Sequence, residues 1–236
     1  VACDIASVSF GIQNAMRCVK FPLALAVIFL AAPAQAAWFR TDGETLILRG
    51  SIELGDDARL TDELKQNPGL RLLRLDSLGG SVRGAIALGE AVRRARLTTV
   101  VDAARDICDS ACTMVFAAGA ARHYLNAEHL HEGFSGHSGL GYHRSYNRGD
   151  RVKPSMLSHE GERLMLAYYR RMGAHAAAEL ALKGTINTLW RPNGATALRL
   201  GLATSLVPPQ ADATRLSRPS TRRISETPAK ASASST

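Results

Sequence analysis

Cysteine is scarce in this chain, with four in 236 residues. Cys3 and Cys18 lie ahead of or inside a stretch laid out like a secretory leader, which leaves Cys108 and Cys112 for the rest. A closed zinc site takes four ligands, so these two alone do not make one. Aromatic residues are 6% of the chain, and none interleaves with basic residues in a patch suited to nucleic acid. No phosphate-binding loop and no internal repeat is visible. The apolar run at residues 21–32 holds about a dozen residues, short of the roughly 20 that a membrane-spanning helix needs.

What is present at that end has the three parts of a signal peptide over residues 16–36. Arg17 and Lys20 form the charged start, the apolar run follows, and Ala34-Gln35-Ala36 is the small-residue cleavage site. Cleavage after Ala36 is expected, with Met16 as the start of translation and residues 1–15 preceding it without a signal-like pattern. The mature protein is then periplasmic or secreted, with no stable membrane anchor. Export also bears on the cysteines. An isolated pair in an oxidising compartment reads as a Cys108–Cys112 disulfide, the alternative being two small buried thiols. A spacing of four suits a bridge only if one partner lies outside regular helix or the geometry is adjusted.

The net charge is +8. The leader region carries Arg17 and Lys20 against Asp4, leaving +7 on the mature chain. Part of this excess sits in residues 208–236, where Arg215, Arg218, Arg222, Arg223 and Lys230 face only Asp212 and Glu226. Pro, Ser, Thr, Arg and Ala dominate there, and a disordered basic tail is expected. The charge reads as a solvated surface, with no nucleic acid as partner. Residues 37–207 remain, one domain of about 170 residues, large enough for a core of its own.

Within it, residues 38–52 alternate in places and read as one or two strands. Residues 56–66 have helical spacing and stop at Asn67-Pro68-Gly69. Residues 70–75 form the next strand, 82–95 a helix, 97–101 a strand and 111–118 a buried helix. Residues 122–142 read as irregular. Residues 154–172 read as the longest helix, with Pro154 in its first turn and Gly173 at its end. Short helices at 179–182 and 195–200 precede a last strand over 201–207. Strand–helix alternation with crossover-length connections implies parallel pairing and an α/β fold.

Two strand-to-helix turns carry the chemistry. One is Ser77-Leu78-Gly79-Gly80. The other is Cys108-Asp109-Ser110-Ala111-Cys112, with Gly141-Tyr142-His143 downstream. Residues 73–80 resemble the Ser-Pro-Gly-Gly turn of the ClpP/crotonase superfamily, with Leu78 in the place of proline. Ser110 and His143 fall where ClpP-type peptidases keep nucleophile and base. The chain is most similar to predicted periplasmic ClpP-like proteins, whose serine turn is flanked by two cysteines. The resemblance covers residues 45–207. It implies stacked βαβ units, a homo-oligomer, and a peptide or protein substrate cleaved through an acyl-enzyme, without a cofactor. His143 is then the general base, and N–H groups of Gly79, Gly80 and Ala111 form the oxyanion hole. The family's third residue is an aspartate, yet the equivalent stretch, 185–189, holds no carboxylate. Asn187 is the candidate to orient His143 there.

Other readings of these residues stay open. Ser110 can be a plain helix N-cap, the glycines can serve only the turn, and the domain can be a catalytically inactive binding or assembly module. An acyl-CoA enzyme is disfavoured by export. Ser77 is the next candidate nucleophile. His129, His131, His137 and His143 share one segment with Glu128 and Glu132. Their spacings match no helical ligand motif, so a glycine-rich loop of solvated histidines is expected rather than a metal centre. Tyr168 and Tyr169 read as packing or interface residues.

Overall fold

A computed structural model describes residues 37–147 and 155–210. The leader at 16–36, residue Pro154 and the tail beyond 210 lie outside the described residues.

The chain opens with a hairpin, β1 (Trp38–Asp42) and β2 (Thr45–Arg49), turned at Gly43. α1 (Asp56–Gln66) then crosses to β3 (Leu72–Asp76), and α2 (Val82–Arg94) crosses to β4 (Thr98–Asp102). β5 (Ile107–Asp109) runs directly into α3 (Ala111–Ala117), and β6 (Arg122–Leu125) follows. The main sheet has the order β1-β2-β3-β4-β6, antiparallel at the hairpin and parallel elsewhere. Helices make each parallel return because such a return needs a long crossover.

A second small sheet pairs β5 in parallel with β7 (Gly139–Gly141). It hangs on the main sheet through Ser77, whose N–H donates to the Ile107 carbonyl while its carbonyl accepts from Asp109 N–H. β8 (Tyr146–Asn147) and β9 (Met156–Leu157) form a short antiparallel pair. α4 (His159–Arg171), α5 (His175–Lys183) and α6 (Gly194–Arg199) complete the order.

The core lies between the sheet and the helices. α2 buries Gly84, Ala85, Leu88, Gly89, Ala91 and Val92 on one side, a helical stripe of mostly small residues. Their size matters, because a Cβ on Gly89 would collide with the Tyr168 hydroxyl of α4. Tyr168 and Tyr169 are fully buried and therefore packing residues, with Tyr169 Oη 2.6 Å from Thr113 Oγ1 of α3. No helix of the described residues is long and apolar enough to cross a membrane.

Three expectations change. α4 starts at His159 rather than at 154, because Ser158 caps it by accepting from Gly161 N–H, and β9 occupies the residues just before. The span 122–142 holds β6 and β7, whose pairings lie far off in sequence and so left no local pattern. Residues 201–207 form no strand. Only Ser205 bridges to His123, and the path is held by single bonds to β6.

Candidate active site

The strand β5 and the helix α3 are joined by one residue. Ser110 N–H still extends the strand pairing by donating to the Gly141 carbonyl at 2.8 Å, while Ser110 C=O already accepts from Thr113 N–H and Thr113 Oγ1. A chain that passes from strand to helix within one residue must turn sharply. Ser110 does so at φ 55°, ψ −124°, a conformation that side chains rarely adopt. Such a turn presents its side chain outward at the head of the helix, as the nucleophile elbow of hydrolases does. The hydroxyl makes no capping bond and no other hydrogen bond among the described residues. The N-cap reading of this serine therefore falls.

Cys108, in β5, and Cys112, in the first turn of α3, are joined by a disulfide with Cα atoms 5.1 Å apart. One partner lies outside the helix, the first of the two ways in which the spacing allows a bridge. The bridge closes the chain around Ser110, and both cysteines are fully buried.

Against this turn lies the glycine pair. Gly79 (φ 96°) packs so closely that a Cβ there would stand 2.7 Å from the Asp109 carbonyl oxygen and 2.8 Å from Ser110 Cβ. Only glycine fits. Its N–H donates to Ser77 Oγ at 3.1 Å and its carbonyl accepts from Ile52 N–H at 2.8 Å, so Gly79 is a spacer and not an oxyanion donor. The N–H groups of Gly80 and Ala111 have no acceptor among the described residues, and both residues line the same groove as Ser110. Both N–H groups are therefore free to donate to a group in the groove. Ser77, 3% exposed, spends its hydroxyl on the Gly50 carbonyl at 2.5 Å, which removes it as a nucleophile.

The groove holds about 630 Å³. One wall is Leu78, Ser81, Val82 and Arg83, at the start of α2. The facing wall is Ser145, Tyr146, Asn147 and the start of α4 through Met165. Leu78 is largely exposed beside the groove. Arg83 reaches across to pair with Glu160.

His143 follows β7 as Ser110 follows β5, and these are adjacent parallel strands with Asp109 opposite Gly141. The topology thus brings both residues to the same ends of neighbouring strands. No hydrogen bond joins them in this structure. His143 is 6% exposed, and its Nδ1 lies 2.7 Å from the Arg144 carbonyl oxygen. A carbonyl only accepts, so Nδ1 carries the proton and Nε2 keeps a free lone pair. Burial pushes the imidazole below its ordinary value of 6.5, against smaller opposing effects of that carbonyl and of the Asp109 charge. Burial thus favours the neutral imidazole, the form a general base requires.

Asn187 does not hold His143. It is exposed, its N–H donates to Thr185 Oγ1, and the place at Nδ1 is filled by the Arg144 carbonyl. His129, His131 and His137 are exposed and His143 is buried. Glu132 accepts from Thr196 Oγ1, and no group of three metal-ligating side chains occurs among the described residues.

The site also rests on residues that the sequence did not single out. Asp109, immediately before Ser110, is gripped by Arg191, whose guanidinium also donates to the Gly136 carbonyl. Asp106 takes Arg74 in the same bidentate way and accepts from Asp102 N–H. Two aspartate–arginine pairs, each with a buried aspartate, thus fix the segment leading to the serine. The ordered pairs Arg74/Asp106 and Asp109/Arg191 lie 32 and 82 residues apart, beyond any local spacing signal.

No family model matches the chain, and no curated protein matches its sequence. Solved structures do match its architecture. One is the membrane-bound stomatin-specific protease 1510-N as a serine-to-alanine mutant, with a TM-score of 0.51, 12% identity, and 72% of this chain and 80% of that chain covered. Another is the same protease as a lysine-to-alanine mutant in complex with a substrate peptide, with a TM-score of 0.50, 11% identity, and 68% and 73% covered. At that identity the likeness carries the fold alone, a mixed α/β architecture that this chain shares with that protease.

Proposed function

We propose that the chain is an exported serine peptidase of ClpP-like fold. The observation that carries this reading is Ser110 itself. It is held at positive φ on a strand-to-helix elbow, its hydroxyl is unspent, and it faces a groove with two unpaired N–H groups beside it.

Ser110 Oγ attacks the carbonyl carbon of a peptide bond, and His143 Nε2 takes the hydroxyl proton as substrate binding closes the gap between them. The resulting oxyanion is held by Gly80 and Ala111 N–H, with the positive end of α3 behind it. The C–N bond then breaks, and His143 returns the proton to the leaving amine. Water, deprotonated by the same imidazole, releases the acyl group from Ser110. Arg144 contributes a neutral carbonyl at Nδ1, which orients the ring but does not stabilise an imidazolium by charge. A modest rate follows.

The protease neighbour with its bound substrate peptide supports a peptide as substrate. The disulfide supports an oxidising compartment, and with it the leader at 16–36.

The test is covalent labelling of the mature protein with a fluorophosphonate probe, the labelled residue being located by mass spectrometry. Adduct on Ser110 that is lost in His143→Ala supports the assignment. Wild-type protein that never labels refutes it and leaves a binding or assembly module.

A further inference from the structure

Ser145 lines the groove at only 7% exposure, yet its hydroxyl makes no hydrogen bond among the described residues. The side chain is buried while its oxygen opens onto the groove, so the hydroxyl is held in place and unspent, available to whatever occupies the groove. Its surroundings say what that is. The Ser145 carbonyl accepts from Ser158 N–H at 2.9 Å, which seats Ser145 against the first turn of α4. The turn comes close enough that a Cβ on Gly161 would collide with Ser145 Oγ.

α4 is 13 residues long, so its N-terminal end carries the partial positive charge of a full helix. Ser158 Oγ satisfies Gly161 N–H, and the N–H groups of His159 and Glu160 have no acceptor among the described residues. One unspent hydroxyl and two orphan N–H groups form a set of donors without an acceptor among the described residues. Arg83 adds a cation from the opposite wall. Its partner Glu160 is a weak competitor, because both side chains are more than half exposed and such pairs contribute little. Glu53 also lines the groove and accepts from Ser51 Oγ at 2.8 Å, and Glu162 is engaged by Arg144. Two glutamates against one arginine in the groove rule out diffuse attraction of anions. Recognition must be local.

We infer that the α4 end of the groove is a carboxylate-binding subsite. It hydrogen-bonds the carboxylate through Ser145 Oγ and the first N–H groups of α4, while Arg83 exchanges Glu160 for the ligand. This deepens the peptidase reading of Ser110 and rests on it for the substrate class. The substrate is a peptide with a carboxylate, from a free C-terminus or an acidic side chain, close to the bond being cut.

Binding is measured with Ser110→Ala protein, so that turnover plays no part. Three N-terminally fluorescein-labelled peptides are followed by anisotropy: penta-alanine as free acid, the same as C-terminal amide, and the amide with glutamate at the last position. The free acid is expected to bind about tenfold tighter than the plain amide, the order of a hydrogen bond to a charged group. Adding Ser145→Ala should remove that preference. Gly161→Ala, which fills the space at Ser145, should do the same and serves if Ser145→Ala does not fold. A glutamate amide that binds like the free acid supports the subsite and names the acidic side chain as the source. Equal binding of acid and plain amide, or no saturable binding of any of the three, overturns it. The two readings fail separately. Protein that prefers the acid but never labels with fluorophosphonate keeps the subsite and loses the peptidase. Protein that labels on Ser110 but shows no preference does the reverse.

Discussion

Arg191 and Asp109 meet through two parallel charge-assisted hydrogen bonds, Nη1 to Oδ1 at 2.7 Å and Nη2 to Oδ2 at 2.9 Å, with side chains 6% and 9% exposed. The same guanidinium donates to the Gly136 carbonyl, and the Arg191 backbone pairs with Gly133. One side chain therefore ties the strand that delivers Ser110 to the loop that leads through β7 to His143.

Arg191→Ala would leave the Asp109 carboxylate buried and unpaired. A loss of about 3–5 kcal/mol in urea unfolding is expected. A double replacement by apolar residues of similar volume, Asp109→Leu with Arg191→Met, should cost less than the single change. A single variant as stable as wild type would show that the pair does not hold the turn.

Ser110→Ala should abolish fluorophosphonate labelling and change stability by less than about 1 kcal/mol, since no capping bond is lost. Ser110→Gly should also abolish labelling, yet stabilise relative to Ser110→Ala by up to about 1 kcal/mol, because glycine adopts φ 55° without a steric penalty. Asn187→Ala, at an exposed position away from the His143 Nδ1 bond, should leave the labelling rate unchanged.

Gly79→Ala places a Cβ 2.7 Å from the Asp109 carbonyl oxygen at a φ of 96°. Backbone has to move on one side or the other. A cost above about 1 kcal/mol is expected, with slower labelling because the turn under attack is the one that carries Ser110. Thermal melting and labelling rates read the two effects on the same sample.

The buried imidazole of His143 makes both rate and stability depend on pH. Its folded pKa lies below the ordinary 6.5. The base is the neutral form, so labelling should rise with pH through a midpoint below 6.5 and be flat at neutrality. Between the folded value and 6.5 the unfolded chain binds more protons than the folded one. His143 therefore contributes stability that is complete above 6.5 and is lost as pH falls toward the folded value. His143→Gln should flatten that part of the stability profile. A labelling midpoint above 6.5 would assign the base elsewhere.

The disulfide closes a loop of a few residues, for which chain entropy gives a stabilisation of about 2 kcal/mol. Replacing both cysteines by serine should cost about that much and slow labelling of Ser110, the residue the bridge encloses. Alkylation of denatured, unreduced protein should find neither Cys108 nor Cys112 free.

The sequence by itself determined the α/β alternation and the two strand-to-helix turns, and it left the bridge between Cys108 and Cys112 as one of two readings that the structure then decided. These features are local. Helical and strand periods repeat within a few residues, and β5 followed at once by the buried run of α3 leaves Ser110 at the joint. Tertiary structure decided the rest. Which N–H groups face the groove depended on Ser77 Oγ taking the Gly79 N–H, a contact set by how that turn folds back. The partner of His143 Nδ1 is a carbonyl one residue away, a choice made by burial of the ring rather than by any motif. Arg191 reached Asp109 only because β7 lies beside β5, and nothing within a helical turn or a strand repeat of either residue records a partner 82 positions away. Register between distant strands is settled by packing of the whole core, and that is where the site acquired its clamp.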